Sequence, residues 1–151
     1  MEVLVYMVSE KQGAVGKAVP IVPYLRLPES AREEATLLGS RCKNCGEVYL
    51  GKRAICIKCY KMGEMEEVAL SRTGEIFSYT IIHQSAPWVQ VPYIAAVIKL
   101  PEGPVLTATL TGCEPRPGTV RVGMPVRMVT EKVRQDSDGN DVIAYKFKPI
   151  E

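Results

Sequence analysis

Three observations predict a mainly β chain in two parts: two C-x-x-C pairs ten residues apart, five β-rich runs after residue 70, and no helical periodicity within those runs. The cysteines place a four-cysteine, rubredoxin-like zinc ribbon in residues 1–69, preceded by an arm and a short helix. The five runs place a five-stranded OB-fold barrel in residues 70–151.

Composition sets the outer bounds. With 151 residues and 46% hydrophobic content, the chain can bury a real core. Its longest apolar runs, such as Ile94 to Ile98, are too short to cross a bilayer, and no signal-peptide pattern is present. That points to the cytoplasm, where thiols stay reduced and open to metal. A net charge of +2 creates no strong field for nucleic acid or anionic membrane, so any such contact needs a local patch. Few Asn and Gln beside abundant Lys, Arg and Glu are compatible with a thermophilic source.

Residues 1–23 read as an irregular arm that reaches Pro20 and Pro23, with Met7 as an alternative start that would leave residues 1–6 without a role. Ser30-Ala-Arg-Glu33 after Pro28 has the form of a capping box, and Gly39 supplies a stop. This pattern predicts a helix over residues 31–38, with Ala31, Ala35 and Leu38 on one side as packing or partner surface.

Cys42-Lys-Asn-Cys45-Gly46 and Cys56-Ile-Lys-Cys59 are the strongest signal in the chain. Each tight turn presents two sulfurs on one side, so a short hairpin converges four thiolates on one ion. Zinc suits such a closed tetrahedral site, which leaves no position for substrate and so acts structurally; iron in a rubredoxin-like site is the alternative metal. Gly46 tolerates the positive φ that turns backbone N–H groups toward sulfur, and the second pair lacks that glycine. Two symmetric pairs outside a βαβ context favour metal over a redox dithiol or two disulfides.

The barrel runs are Gly74 to His83, Tyr93 to Leu100, Val105 to Leu110, Pro125 to Val133 and Val142 to Lys148. Leu106, Ala108 and Leu110 alternate with Thr107 and Thr109, while Ile143, Tyr145 and Phe147 alternate with Ala144, Lys146 and Lys148. Each run has one buried face. The link from Gly112 to Gly123 carries Pro115, Pro117 and Gly118, so it cannot hold the long helix found in many OB-folds. An SH3-like or generic five-stranded barrel is the alternative.

Few residues in this half suggest chemistry. His83 and Cys113 are a conceivable nucleophile pair, but their spacing does not require contact, and Cys113 sits among turn residues as a spare thiol. Trp88, between Pro87 and Pro92 in the loop joining the first two barrel strands, is a candidate ligand or partner contact, or a lid folded back on the core. Tyr93 is the lone stacking candidate for single-stranded nucleic acid, and Arg121, Arg127, Lys132 and Arg134 form a basic stripe.

Taken in order along the chain, several segments carry a resemblance: Cys42-x-x-Cys45-Gly46, Cys56-x-x-Cys59, Thr73-Gly-Glu-Ile-Phe-Ser-Tyr-Thr80, Pro92-Tyr-Ile-Ala-Ala-Val97, Val122-Gly-Met-Pro-Val126 and Tyr145-Lys-Phe-Lys-Pro149. Over residues 24–149 the chain resembles the zinc-ribbon plus OB-fold, acyl-CoA-associated family that carries a domain of unknown function. The resemblance implies a non-catalytic partner of thiolase and hydroxymethylglutaryl-CoA synthase, which in archaea is thought to bridge the two enzymes. It also implies acyl-CoA as ligand, with Trp88, Tyr93, Arg121 and Arg127 as candidate contacts. Lys52 and Ile57 stand where the family often has proline, so a partner surface there would differ. A single-stranded nucleic-acid-binding OB-fold protein is the alternative function, and a stand-alone enzyme comes third.

Overall fold

The computed structural model describes residues 16–150, so the expectations for residues 1–15 lie outside the described residues. Ten strands make up the fold: β1 Ala18–Pro20, β2 Leu25–Arg26, β3 Thr36–Cys42, β4 Val48–Leu50, β5 Met65–Ala69, β6 Thr73–Ile82, β7 Tyr93–Lys99, β8 Val105–Leu110, β9 Pro125–Gln135 and β10 Asp141–Pro149. The five predicted barrel runs reappear as β6 to β10.

The ring closes in the order β6, β7, β8, β10, β9 and back to β6. All neighbours are antiparallel except β8 and β10, which run parallel where Phe147 meets Leu110. A closed ring in this order is a five-stranded OB-fold barrel with no long free edge. Alternation works as expected in β8, where Leu106, Ala108 and Leu110 are buried. Between Val142 and Ile143 the β9–β10 register skips Val133, a bulge on β9. In β10 Val142 and Phe147 are buried, while Ile143 and Tyr145 are half-buried.

The predicted helix over residues 31–38 does not form, and no helix occurs among the described residues. The local capping signals survive as a turn: the Glu33 N–H donates to the Ser30 carbonyl at 3.1 Å, and the Glu33 carboxylate accepts from the Glu29 N–H at 3.1 Å. Eight residues of helix are marginal without packing. The strand offers more: β3 pairs with β2, β4 and β5, and it buries Leu37 and Ser40 completely enough to leave almost no exposure. Gly39 is not a helix stop. It lies mid-strand, where an added Cβ would come within 2.6 Å of the Tyr49 carbonyl oxygen and 2.8 Å of Leu70.

The described part of the arm contributes two short strands. β1 runs parallel to the start of β10, and β2 pairs with β3, so the arm touches both parts of the chain. A single buried cluster runs from Leu25, Ala35 and Leu37 through Leu70 to Ile76, Ile98 and Phe147. Tyr24 packs on Tyr145 across the same junction, with ring centroids 6.2 Å apart. Glu34 meets Arg72 there as an ion pair. The side chains expected to form a docking stripe before the ribbon are thus used in part inside the molecule, with Ala35 buried and Leu38 half-buried.

Candidate metal centre

β3 and β4 end in the first cysteine turn, and the chain between β4 and β5 forms the second. In the first knuckle the Gly46 N–H donates to the Cys42 carbonyl at 2.8 Å, and in the second the Tyr60 N–H donates to the Cys56 carbonyl at 2.8 Å. Gly46 has φ 79°, as its lack of a side chain permits. Tyr60 takes the equivalent left-handed conformation with φ 59°. The missing glycine therefore does not change the turn. A bridge between Ile55 and Met62 and a 3.2 Å bond from the Cys56 N–H to the Lys61 carbonyl close the second knuckle.

The four Sγ atoms of Cys42, Cys45, Cys56 and Cys59 lie within 4.8 Å of one another. Cys42 and Cys59 approach to 3.6 Å, and Cys45 and Cys56 to 3.5 Å. Four sulfurs at about 2.3 Å from a tetrahedral ion sit roughly 3.8 Å apart, so the cluster fits such a metal with little adjustment. All four cysteines are free thiols. Every donor is a thiolate, which suits zinc or iron and leaves no open ligand position.

A second layer of contacts supports the sulfurs. The Tyr49 hydroxyl lies 3.5 Å from the Cys56 sulfur and accepts the Lys58 N–H at 3.3 Å. The Arg53 guanidinium stands over the Tyr49 ring at 4.9 Å, which holds the phenol in place. That hydroxyl is the main reason the Cys56 thiol is lowered to about 6. The Lys61 N–H and then the Asn44 side chain lower Cys59. Cys45 is pushed up to about 12: the Glu47 N–H opposes the rise, while burial and the neighbouring thiols drive it.

The other candidate residues separate into two places. Trp88 is 86% exposed, so it is no lid on the core. It lines a cavity of about 590 Å³ together with Tyr93, Thr109, Lys132 and Lys146, between the 83–92 loop and the β9–β10 hairpin. Within it Lys146 pairs with Glu131 and Lys132 with Asp141, each at 2.8 Å. Arg121 and Arg127 lie outside that cavity. Arg121 precedes the turn that returns to Ile76, and Arg127 is opposite Thr73 and Lys148 on the barrel wall. His83 is exposed past the end of β6, and Cys113 packs half-buried against the core, where burial raises its thiol. A raised thiol is a poor nucleophile.

Sequence reasoning missed Tyr49 as support for Cys56 and Lys146 as a cavity residue. The first left a faint signal, an aromatic between the two knuckles. The second left none, because its cavity neighbours Trp88 and Thr109 are distant in sequence.

Residues 30–63 match the family described as "ChsH2, rubredoxin-like zinc ribbon domain", and residues 67–131 match "ChsH2, C-terminal OB-fold domain". A DUF35 domain-containing scaffold protein of Methanocaldococcus jannaschii is 41% identical over 123 residues, covering 80% of this chain and 86% of that protein. This chain belongs to the DUF35 family. The DUF35 chain is also 35% identical to the benzoylsuccinyl-CoA thiolase subunit BbsA of Geobacter metallireducens, covering 76% of this chain and 75% of that one. Among solved structures, the Ltp2-ChsH2(DUF35) aldolase superposes with a TM-score of 0.60 at 26% identity, covering 76% of this chain and 84% of the other.

Proposed function

We propose that this DUF35 protein is a non-catalytic accessory subunit that docks on thiolase-like and hydroxymethylglutaryl-CoA synthase-like enzymes in the cytoplasm and helps to hold their acyl-CoA. The observation that carries the reading is the likeness to a scaffold protein over 80% of the chain and to a thiolase subunit over 76% of it. The metal centre agrees with that role: we assign zinc, held by Cys42, Cys45, Cys56 and Cys59 as a structural ion. When bound, zinc supplies cohesion to the ribbon, and the closed thiolate set offers substrate no place on it.

Coenzyme A joins a narrow pantetheine arm to three phosphate groups, so its site needs an apolar slot ending near cations. The cavity beside Trp88 and Tyr93 has an aromatic wall, with Lys132 and Lys146 inside it. The open mouth of the barrel covers only part of so long a ligand, so affinity depends on the partner enzyme closing the other side. Calorimetry with acetyl-CoA tests this: weak binding by the isolated protein, clear binding by the complex with the source organism's thiolase, and a loss in Trp88→Ala. Arg121→Ala and Arg127→Ala report whether the ligand extends along the barrel wall. Equal affinity in wild type and in all three variants places the ligand wholly within the enzyme.

A further inference from the structure

The two metal knuckles share a backbone and differ in what they show to solvent. The residue after the second cysteine of each pair donates to the first cysteine's carbonyl from a left-handed conformation, Gly46 in one and Tyr60 in the other. A bulky L residue is sterically disfavoured there, and glycine is not. Burial gives no compensation, because Tyr60 is 78% exposed. Strain kept at an exposed side chain marks a residue retained for contact rather than for folding.

Tyr60 does not stand alone. Met62 is 72% exposed, Ile57 is 53% exposed, and Ile55 is exposed opposite Met62 across the hairpin bridge. The segment that carries these four apolar groups also holds Lys52, Arg53, Lys58 and Lys61, and no acidic residue occurs between residues 48 and 63. Lys58 is drawn to Glu47 at 2.9 Å and Arg53 lies over Tyr49, which leaves Lys52 and Lys61 as the segment's other charges. The first knuckle presents only Lys43 and Asn44 between its cysteines.

We propose that the second knuckle is the docking tip of this protein, and that it seats Tyr60, Ile57 and Met62 in an apolar pocket with an acidic rim on the partner enzyme. This rests on the accessory-subunit reading above and names the surface that serves it. Charge complementarity fixes the sign of the rim: a segment that carries Lys52 and Lys61 and no acid of its own meets an acidic border. A protein is the occupant rather than nucleic acid, because three of the four apolar groups are aliphatic and cannot act as base-stacking platforms. Exposed Tyr and Met side chains match the residue types enriched at protein interfaces. The metal cross-link makes the tip rigid before contact, so little ordering is required on docking.

The test uses the full-length zinc-loaded protein and the source organism's purified thiolase, measured by surface plasmon resonance. Tyr60→Gly relieves the backbone while removing the ring. Its metal content should stay at the wild-type level and its ribbon should melt no earlier, while affinity for the enzyme falls about tenfold or more, as for a central anchor residue. Ile57→Asp should fall at least as far, and Lys52→Glu with Lys61→Glu should slow association and flatten its salt dependence. Wild-type affinity in both Tyr60→Gly and Ile57→Asp overturns the proposal while leaving the accessory-subunit reading intact. A Tyr60→Gly ribbon that melts earlier or loses metal shows a structural role and also overturns it. If the tip variants lose affinity for a single-stranded oligonucleotide instead, the surface belongs to nucleic acid. If wild type binds neither thiolase nor synthase, both readings fall.

Discussion

The barrel and the ribbon are held together by different forces. In the barrel, Ile98, Val126, Met128 and Phe147 have no measurable exposure, and every strand finds neighbours around a closed ring. At the far end of the ribbon the fully buried side chains are Cys42 and Cys56, while Ile55, Ile57, Tyr60 and Met62 face solvent. Burial sustains the barrel, and a cation bound by four sulfurs must sustain the knuckles. A fold secured by a metal can leave its apolar side chains outside, which frees them for a partner.

Removing the metal is the harshest way to break this comparison. Four thiolates around zinc supply roughly 10–16 kcal/mol of apparent binding free energy in small peptides, more than so small a hairpin gains from burial. Chelation, or Cys45→Ser, should expose the amides of residues 42–62 to exchange while the barrel amides stay protected. Equal loss of protection in both parts would show that the two are not separately secured.

A break in the barrel should have the converse pattern. Phe147→Ala removes a fully buried ring where β10 meets β8, with an expected cost of about 3–5 kcal/mol. Its melting temperature should fall steeply, while zinc content per folded molecule remains at one equivalent. Loss of metal in the folded variant would tie the cluster to the barrel core more closely than the contacts at Leu37 and Leu70 imply.

The mildest perturbation concerns the β9–β10 hairpin. Asp136 accepts N–H bonds from Asn140 at 2.8 Å and Asp138 at 2.9 Å, and Asp141 pairs with Lys132. The Asn140 bonds hold the Asp136 carboxyl below its ordinary value of 3.8, and Lys132 does the same for Asp141. A depressed carboxyl stabilises the fold above its ordinary value, and that contribution is lost as pH falls through the lower folded value. The hairpin tip should therefore loosen only below about pH 4, and Asp136→Ala should loosen it at neutral pH. Exchange at Asp138 and Asn140, followed from pH 6 to pH 2, reads both effects.

How far these features could be read in advance follows from their range. The cysteine spacing needed only local geometry, and the β8 alternation needed only a period of two. The segment after Ser30 was misread because a capping box is local, whereas the pairing of β3 with three other strands depends on Leu25, Leu70 and Tyr49, distant in sequence. Lys146 was hidden for the same reason, since its cavity neighbours Trp88 and Thr109 are distant in sequence. Tyr60 was legible in principle, since it occupies the place of Gly46 fourteen residues earlier, but its exposure required coordinates.

Hydrogen exchange on the wild-type protein, alone and mixed with the source organism's purified thiolase in the presence of acetyl-CoA, tests the account most directly. Slowed exchange confined to residues 55–62 and to the 83–93 loop and strand start is the predicted result, with the core of β6 to β10 unchanged. No change in either segment, while the two proteins demonstrably form a complex, would contradict it.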